Sequence, residues 1–300
     1  MANLRDVRLR MRTIEQTLKV TKAMKLISTA KLRKGRRMLE NTEPYFKRIQ
    51  KSMYDILSGF DVFSGEGILN SVFFRKVEPE SHTAIIAITS DKGLAGSYNV
   101  NVYRRAVQLC QNVRKPLLIL IGAVAPRYFI HSPYVILEDF SFRSQIPTVE
   151  HAGEIADYVI SQYLWGVFDE IHIVYTHMFN TAKLKPTDHQ IIPLVKEVIQ
   201  KDLLDIGDTQ RVDLKFEYSP SAEEIFDALV PQYIKGVIYG CMVEAYASEQ
   251  SARMVAMEEA SKNADEMLST LRINYNRARQ TGITQEISEI AGSAESLAER

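Results

Sequence analysis

Between Ser221 and Arg300 the chain has a single proline, Pro231, and only four glycines, at 236, 240, 282 and 292. The stretch is rich in Ala, Met, Leu, Glu and Arg, residues that lose little on entering a helix. Ser221-Ala-Glu-Glu224 has the form of a capping box, with Pro220 just outside it. Ala245, Ala252, Ala256, Ala260, Ala264, Met267, Leu271, Tyr275 and Ala278 follow in steps of three, four or seven, which predicts one apolar stripe. At ~1.5 Å per residue, about sixty such residues make a rod on the order of 90 Å long. A domain of ordinary width cannot enclose a rod of that length. Other chains or other parts of this one must surround it.

The opposite end has the same character. All ten prolines lie between Pro44 and Pro231. Leu4, Val7, Met11, Ile14 and Leu18 follow the 3-4-3-4 spacing of a coiled-coil seam, predicting a helix from Leu4 to about Asn41. Past Thr21 the pattern blurs, and Ala23, Met24, Ile27 and Ala30 are expected to carry the apolar face. The whole chain is neutral, with 37 Lys and Arg against 37 Asp and Glu. Its charge is nevertheless divided. Residues 1–51 hold 15 basic groups against 4 acids, a surplus of 11 positive charges, while residues 221–300 hold 7 against 13, a deficit of 6. Helices of opposite charge select one another, although exposed pairs stabilise little individually.

The basic first helix has two competing readings. It is amphipathic like a presequence, but Asp6 and Glu15 interrupt it and the seam runs on without a cleavage-like break. Lys31-Leu-Arg-Lys-Gly-Arg-Arg37 has the charge of a nucleic-acid grip, but no aromatics are interleaved and the chain as a whole has no net charge. A partner-facing helix surface fits better than either.

Between the two helical ends, strand and helix patterns alternate. Strands are expected at 82–89, 116–122, 134–140, 170–177 and 190–194, the last an edge strand that tolerates Pro193. Helices are expected at about 97–111, 124–131 and 149–165, and a turn at 180–185. Apolar strands alternating with helices predict a doubly wound α/β domain. The domain map is therefore an N-terminal helix over 1–60, an α/β domain over 75–218 and a long C-terminal helix over 219–300.

Chemistry is hard to find in these residues. The turn after the first strand, Asp91-Lys-Gly-Leu-Ala-Gly-Ser-Tyr-Asn99, is where such domains bind nucleotides. Gly93 and Gly96 do not complete G-x-G-x-x-G, and Lys92 stands on the wrong side for a P-loop. A tight strand-to-helix turn is the simpler reading. His172 and His177 are an odd number apart on one strand and face opposite sides. Glu223/Glu224 and Glu258/Glu259 are adjacent on helices and cannot converge. Cys110 and Cys241 lie far apart with no CxxC, as in a reduced compartment. The longest apolar run, Pro116 to Val124, is about half a membrane span. A partner-binding or mechanical element is expected, with no catalytic residue, metal or cofactor. Two alternatives remain, a nucleotide-dependent α/β enzyme with helical extensions and a basic coiled-coil scaffold for nucleic acid.

Three ordered stretches resemble the gamma subunit of the F-type rotary ATP synthase, in its bacterial form. They are Arg10 to Lys34, with Thr-Lys-Ala-Met24 followed by Lys31-Leu-Arg-Lys34; Ser90-Asp-Lys-Gly-Leu-Ala-Gly-Ser-Tyr-Asn99; and Ala247 to Met257, continued by Tyr275 to Ile290. One departure is Gly292-Ser-Ala294, where many members have a second glycine before the alanine.

The resemblance implies a fold of class α/β, an antiparallel coiled coil of the N- and C-terminal helices with an inserted Rossmann-like α/β domain. It implies a rotor shaft, present once per complex, that couples rotation of a membrane c-ring to ATP chemistry on the beta subunits. Its partners would be the hexameric head of alpha and beta subunits, the epsilon subunit and the c-ring. Its location would be the cytoplasmic face of a bacterial membrane, without insertion. Contacts with the head would fall on Met24, Gln250, Arg253, Arg279, Gln280, Thr284 and Glu286. Arginines suit bidentate contacts with carboxylates, and the apolar tip from Ile283 to Leu297 suits an apolar sleeve. For Gln250 and Arg253 the alternative is pairing within the coiled coil, and for Met24 ordinary seam packing.

Overall fold

The computed structural model describes residues 4–63, 72–74, 81–141, 146–181, 183–194, 219 and 221–298. Two helices dominate it: α1, Leu4–Phe63, of 60 residues, and α5, Ala222–Ala298, of 77. Ser221 caps α5 as its sequence predicts, its Oγ accepting from the backbone N–H of Glu224 at 3.2 Å. The first helix does not stop near Asn41. It passes through Pro44, because the residues beyond the proline are needed in the core: Ile49, Met53 and Ile56 are all buried. Tertiary burial outweighs the cost of a proline in a helix, on the order of 3 kcal/mol. The hydroxyl of Thr42 donates to the carbonyl of Met38 at 2.8 Å in the turn just before the proline.

The α/β part has β1 (Thr83–Ile88), α2 (Tyr98–Asn112), β2 (Pro116–Ile121), α3 (Ala125–Phe129), β3 (Val135–Phe140), α4 (Val149–Leu164), β4 (Glu170–Met178) and β5 (Leu184–Ile192). The sheet runs β3-β2-β1-β4-β5. Its first four strands are parallel and β5 is antiparallel to β4. The central strand β1 is buried at all six positions, as a strand covered on both faces must be. Ile85, Ala87, Leu118, Leu120 and Val174 face α2 and α3. Ala84, Ile86, Ile119, Ile121 and Ile173 face α4 and, beside it, Ile49 and Met53 of α1 and Phe226 to Ala245 of α5. One face of the sheet thus has its core in common with the terminal helices.

The last strand corrects an expectation. It starts at Leu184, where a turn was expected, and pairs with β4 from Met178↔Leu184 to Ile171↔Ile192. The turn is confined to Phe179–Lys183, closed by Phe179 N donating to Lys183 O at 3.2 Å and Lys183 N to Asn180 Oδ1 at 2.7 Å. The polar composition of LKPTDHQII masks a strand, and Pro186 is tolerated because β5 is an edge.

The described chain divides into two compact units, Met1–Ser28 with Arg253–Arg300, and Thr29–Ala252. In the first, α1 and α5 run antiparallel. Arg8 meets Tyr275, Glu15 meets Arg272, Lys22 meets Asp265 and Lys25 meets Glu258. The second number falls by about as many residues as the first rises, so the register holds without a slip. In the second unit the two helices also touch, through Gly35 against Tyr246 and Gly236 against Phe46.

The seam itself differs from the apolar pattern. Val7 is buried and Leu4, Met11, Ile14 and Leu18 are half-buried, but the buried line then continues through Thr21, Ser28, Leu32 and Gly35. Ala23, Ile27 and Ala30 are exposed. On α5 Met267 is exposed, and its neighbour Leu268 is buried in its place. Small hydroxyl residues are buried on the seam, and a reading by hydrophobicity passes over them.

Candidate functional site

The turn after β1 is closed on itself. The side chain of Asn99 accepts from the backbone N–H of Ser90 at 3.0 Å and donates Nδ2–H to Ser90 Oγ at 2.8 Å. Ser90 and Asn99 are both buried. Asp91 accepts from the N–H of Ala123 at 3.1 Å, and burial holds its carboxyl above the ordinary range against the pull of that N–H and of Lys92. Leu94 and Gly96 have φ of 64° and 57°. Ser90 and Asn99 thus spend their side chains on one another inside the turn. The cavity beside it, lined by Thr89, Asp91, Tyr98, His151, Tyr246 and Glu249, holds about 50 Å³, far below the ~300 Å³ where small-molecule sites begin.

What the turn does is hold the helix. The hydroxyl of Tyr98 donates to the backbone carbonyl of Ala245 on α5 at 3.1 Å, both buried. Further ties lie along the same helix. Glu244 Oε1 accepts from the N–H of Met178 at 3.1 Å and lies 2.5 Å from His177 Nδ1. Ser248 Oγ donates to the carbonyl of Thr176 at 2.8 Å, and Ser251 Oγ to that of Thr181 at 2.9 Å. Burial raises the Glu244 carboxyl, opposed by the Met178 N–H and by His177. The sequence places Tyr98, Ser248 and Ser251 in the stretches quoted above but does not mark them, or Glu244, as ties between helix and sheet. Their signal is polar residues at i, i+4 and i+7 on an otherwise apolar helix face.

The two strand histidines separate as their spacing requires. His172 Nε2 is 2.9 Å from Glu170 Oε1, and Thr83 Oγ1 donates to the other oxygen at 3.3 Å. The bond to His172, more than that to Thr83, holds Glu170 below the ordinary carboxylate range despite its burial. Among the described residues no group of three or more His, Cys, Asp or Glu is placed to hold a metal. No described helix is long and apolar enough to cross a membrane.

The seven expected partner contacts fall into three sets. Arg279, Gln280, Thr284 and Glu286 are exposed on α5, and Thr284 Oγ1 bonds back to the carbonyl of Gln280 at 3.0 Å. Met24 is half-buried on α1. Gln250 and Arg253 are only 2% and 7% exposed, and the amide of Gln250 donates to Glu249 Oε1 at 3.3 Å. These two thus have internal surroundings. Arg277, Gln280, Thr281, Thr284, Gln285 and Ser288 line a shallow groove on the outside of α5.

An α/β sheet built onto two long antiparallel helices is the fold of ATP synthase central-stalk chains. A chain from the Tetrahymena thermophila mitochondrial ATP synthase central stalk and c-ring superposes with TM-score 0.60 at 24% identity, over 81% of this chain and 99% of that one. One from the Euglena gracilis mitochondrial ATP synthase OSCP/F1/c-ring structure gives 0.61 at 18%, over 98% and 94%. The sequence adds more. The family model described as ATP synthase matches residues 3–297. The ATP synthase gamma chain of Acetivibrio thermocellus is 40% identical over 99% of this chain and 100% of its own length. That of Ruminiclostridium cellulolyticum is also 40% identical, over 98% and 99%. The chain belongs to the ATP synthase gamma-chain family.

Proposed function

We propose that the chain is the central rotor shaft of an F-type ATP synthase, coupling ion-driven rotation of a membrane c-ring to ATP synthesis or hydrolysis in a catalytic head. In this reading it performs no chemistry itself. ATP is handled by beta subunits, and the shaft regulates them by presenting a different face to each catalytic site in turn. Such coupling needs contacts that differ between the states of the head.

The observation that carries the reading is the end of α5. By the register of the paired helices, α5 runs past the start of the described part of α1, which lies only four residues before Arg8. On that end Ile283, Ile287 and Ile290 are 47%, 61% and 68% exposed, at i, i+4 and i+7. Among the described residues no helix stands opposite this part of α5, and an exposed apolar stripe calls for a surrounding sleeve. A ring of alpha and beta subunits supplies one. The exposed Arg279, Gln280, Thr284 and Glu286 belong to the same end and would make its directional contacts. Met24 would add a contact from α1. Gln250 and Arg253 would meet the head only over the little surface they leave open. The division into 1–60, 75–218 and 219–300 goes with this reading, the middle part meeting epsilon and the c-ring at the cytoplasmic face of a bacterial membrane.

Native mass spectrometry of the complex, gently purified through a tag on this chain, tests the proposal. The expected mass holds three copies each of two nucleotide-binding subunits per copy of this chain. A lone chain or homo-oligomer that binds nucleotide would overturn it.

A further inference from the structure

We propose that Glu244, Ser248 and Ser251 form a latch that makes the sheet and α5 turn as one body; this rests on the rotor reading above. Serines and threonines inside these helices usually bond back to their own helix. Thr13, Thr17, Thr270, Thr281 and Ser288 each donate to the carbonyl four residues earlier, the ordinary habit of such residues. Ser248 and Ser251 do not. Both are fully buried, and both reach out of the helix to carbonyls of β4 and the turn after it.

Glu244, one turn earlier, takes the last N–H of β4, that of Met178. Tyr98 in turn reaches the carbonyl of Ala245. Three helix side chains at i, i+4 and i+7 thus converge on residues 176–181, with a fourth tie one residue from the first. The surrounding contact is apolar and includes Met242, Val243 and Ala245. Apolar packing resists separation but has no preferred register, since its strength follows area and not direction. Hydrogen bonds are directional and weaken steeply when misaligned. The three bonds therefore fix both the height and the rotation of α5 on the sheet. A shaft driven through the sheet needs that fixation, because torque is lost wherever one body slides on another.

The experiment uses the assembled complex in sealed vesicles and reads ATP-driven ion pumping per ATP hydrolysed. A wild-type chain that neither joins a nucleotide-binding head nor supports pumping refutes the rotor reading itself. With a pumping wild type, the triple variant Glu244→Leu, Ser248→Ala, Ser251→Ala is expected to hydrolyse ATP within about twofold of wild type. Its pumping ratio should drop severalfold. Glu244→Gln, which keeps an acceptor for Met178, should retain the wild-type ratio. An unchanged ratio in the triple variant overturns the latch. Deuterium exchange in the full chain carries the test if the triple variant does not assemble. The Met178 amide should exchange on the order of tenfold faster in Glu244→Leu and at the wild-type rate in Glu244→Gln. Equal rates in both variants overturn the proposal.

Discussion

The hydroxyl of Ser261 on α5 donates to that of Thr21 on α1 at 2.7 Å, and both residues are buried. Thr21 is also tied to its own helix, its hydroxyl donating to the carbonyl of Leu18 at 3.1 Å, and the carbonyl of Met257, 2.8 Å from Ser261 Oγ, competes with Thr21 for the one Ser261 proton. A buried polar pair at a seam costs little when satisfied and a good deal when its halves are misaligned. It therefore acts as a register mark for the paired helices. A double-mutant cycle of Thr21→Val and Ser261→Ala, read by denaturant unfolding, should give a coupling of about 0.5–1.5 kcal/mol. Additive effects would remove that role.

One helical turn separates two glycines of opposite effect. A Cβ at Gly236 would lie 2.2 Å from Cδ1 of Phe46, whose ring is held between Tyr45 and Tyr239. Gly236→Ala should cost about 1–3 kcal/mol through overpacking. At Gly240 nothing lies within 4 Å, so Gly240→Ala should stabilise by up to about 1 kcal/mol through helix propensity. Thermal melts of the two variants should shift in opposite directions.

Burial pushes the Cys110 thiol from 9.0 up to about 12. The folded chain then holds a proton that the unfolded chain releases above pH 9. Stability contributed by the neutral thiol is complete below that pH and is lost as pH rises toward 12. A thiol reagent at pH 8 should label Cys110 only as fast as the chain opens, and Cys110→Ala should flatten the alkaline fall.

Glu170 gives the opposite sign. Its carboxyl is held below 4.5, first by His172. The stability it contributes is present above that value and is lost as pH falls through the lowered one. Glu170→Gln should remove this part of the acid dependence, measured as the unfolding midpoint between neutral pH and pH 3.

Arg279 is exposed, so Arg279→Ala should leave the fold of the chain within about 0.5 kcal/mol. In the rotor reading it should lower the pumping obtained per ATP. Hydrolysis, pumping and assembly all equal to wild type would free Arg279 from the role.

Much of this was legible in the residues. The strands show as β-rich apolar runs, and the C-terminal helix as a stretch with almost no breaker. The broken glycine pattern at Gly93 and Gly96 argued for a tight strand-to-helix turn, and the Ser90–Asn99 hydrogen bonds close that turn. Other features are held by partners distant in sequence. Pro44 marks a helix end by every local rule, yet burial of Ile49 and Met53 carries the helix through it. Thr21 and Ser28 look like surface residues until the second helix is opposite them. The polar β5 is a strand because β4 has an edge to fill. Ser248 and Ser251 lie in the Ala247–Met257 stretch, but nothing in it marks them as ties to the sheet, since a hydroxyl inside a helix usually bonds to its own backbone.

The face of the sheet that includes Ala84, Ile86 and Ile173 is closed in part by residues 226–245. During synthesis those residues are made well after the strands they cover. A nascent chain holding all five strands still has an open apolar face, and only emergence of the last helix completes the core. The ribosome therefore delivers the cover last. Chaperone binding to nascent chains should peak after β5 has emerged and fade once residues 226–245 are clear of the tunnel.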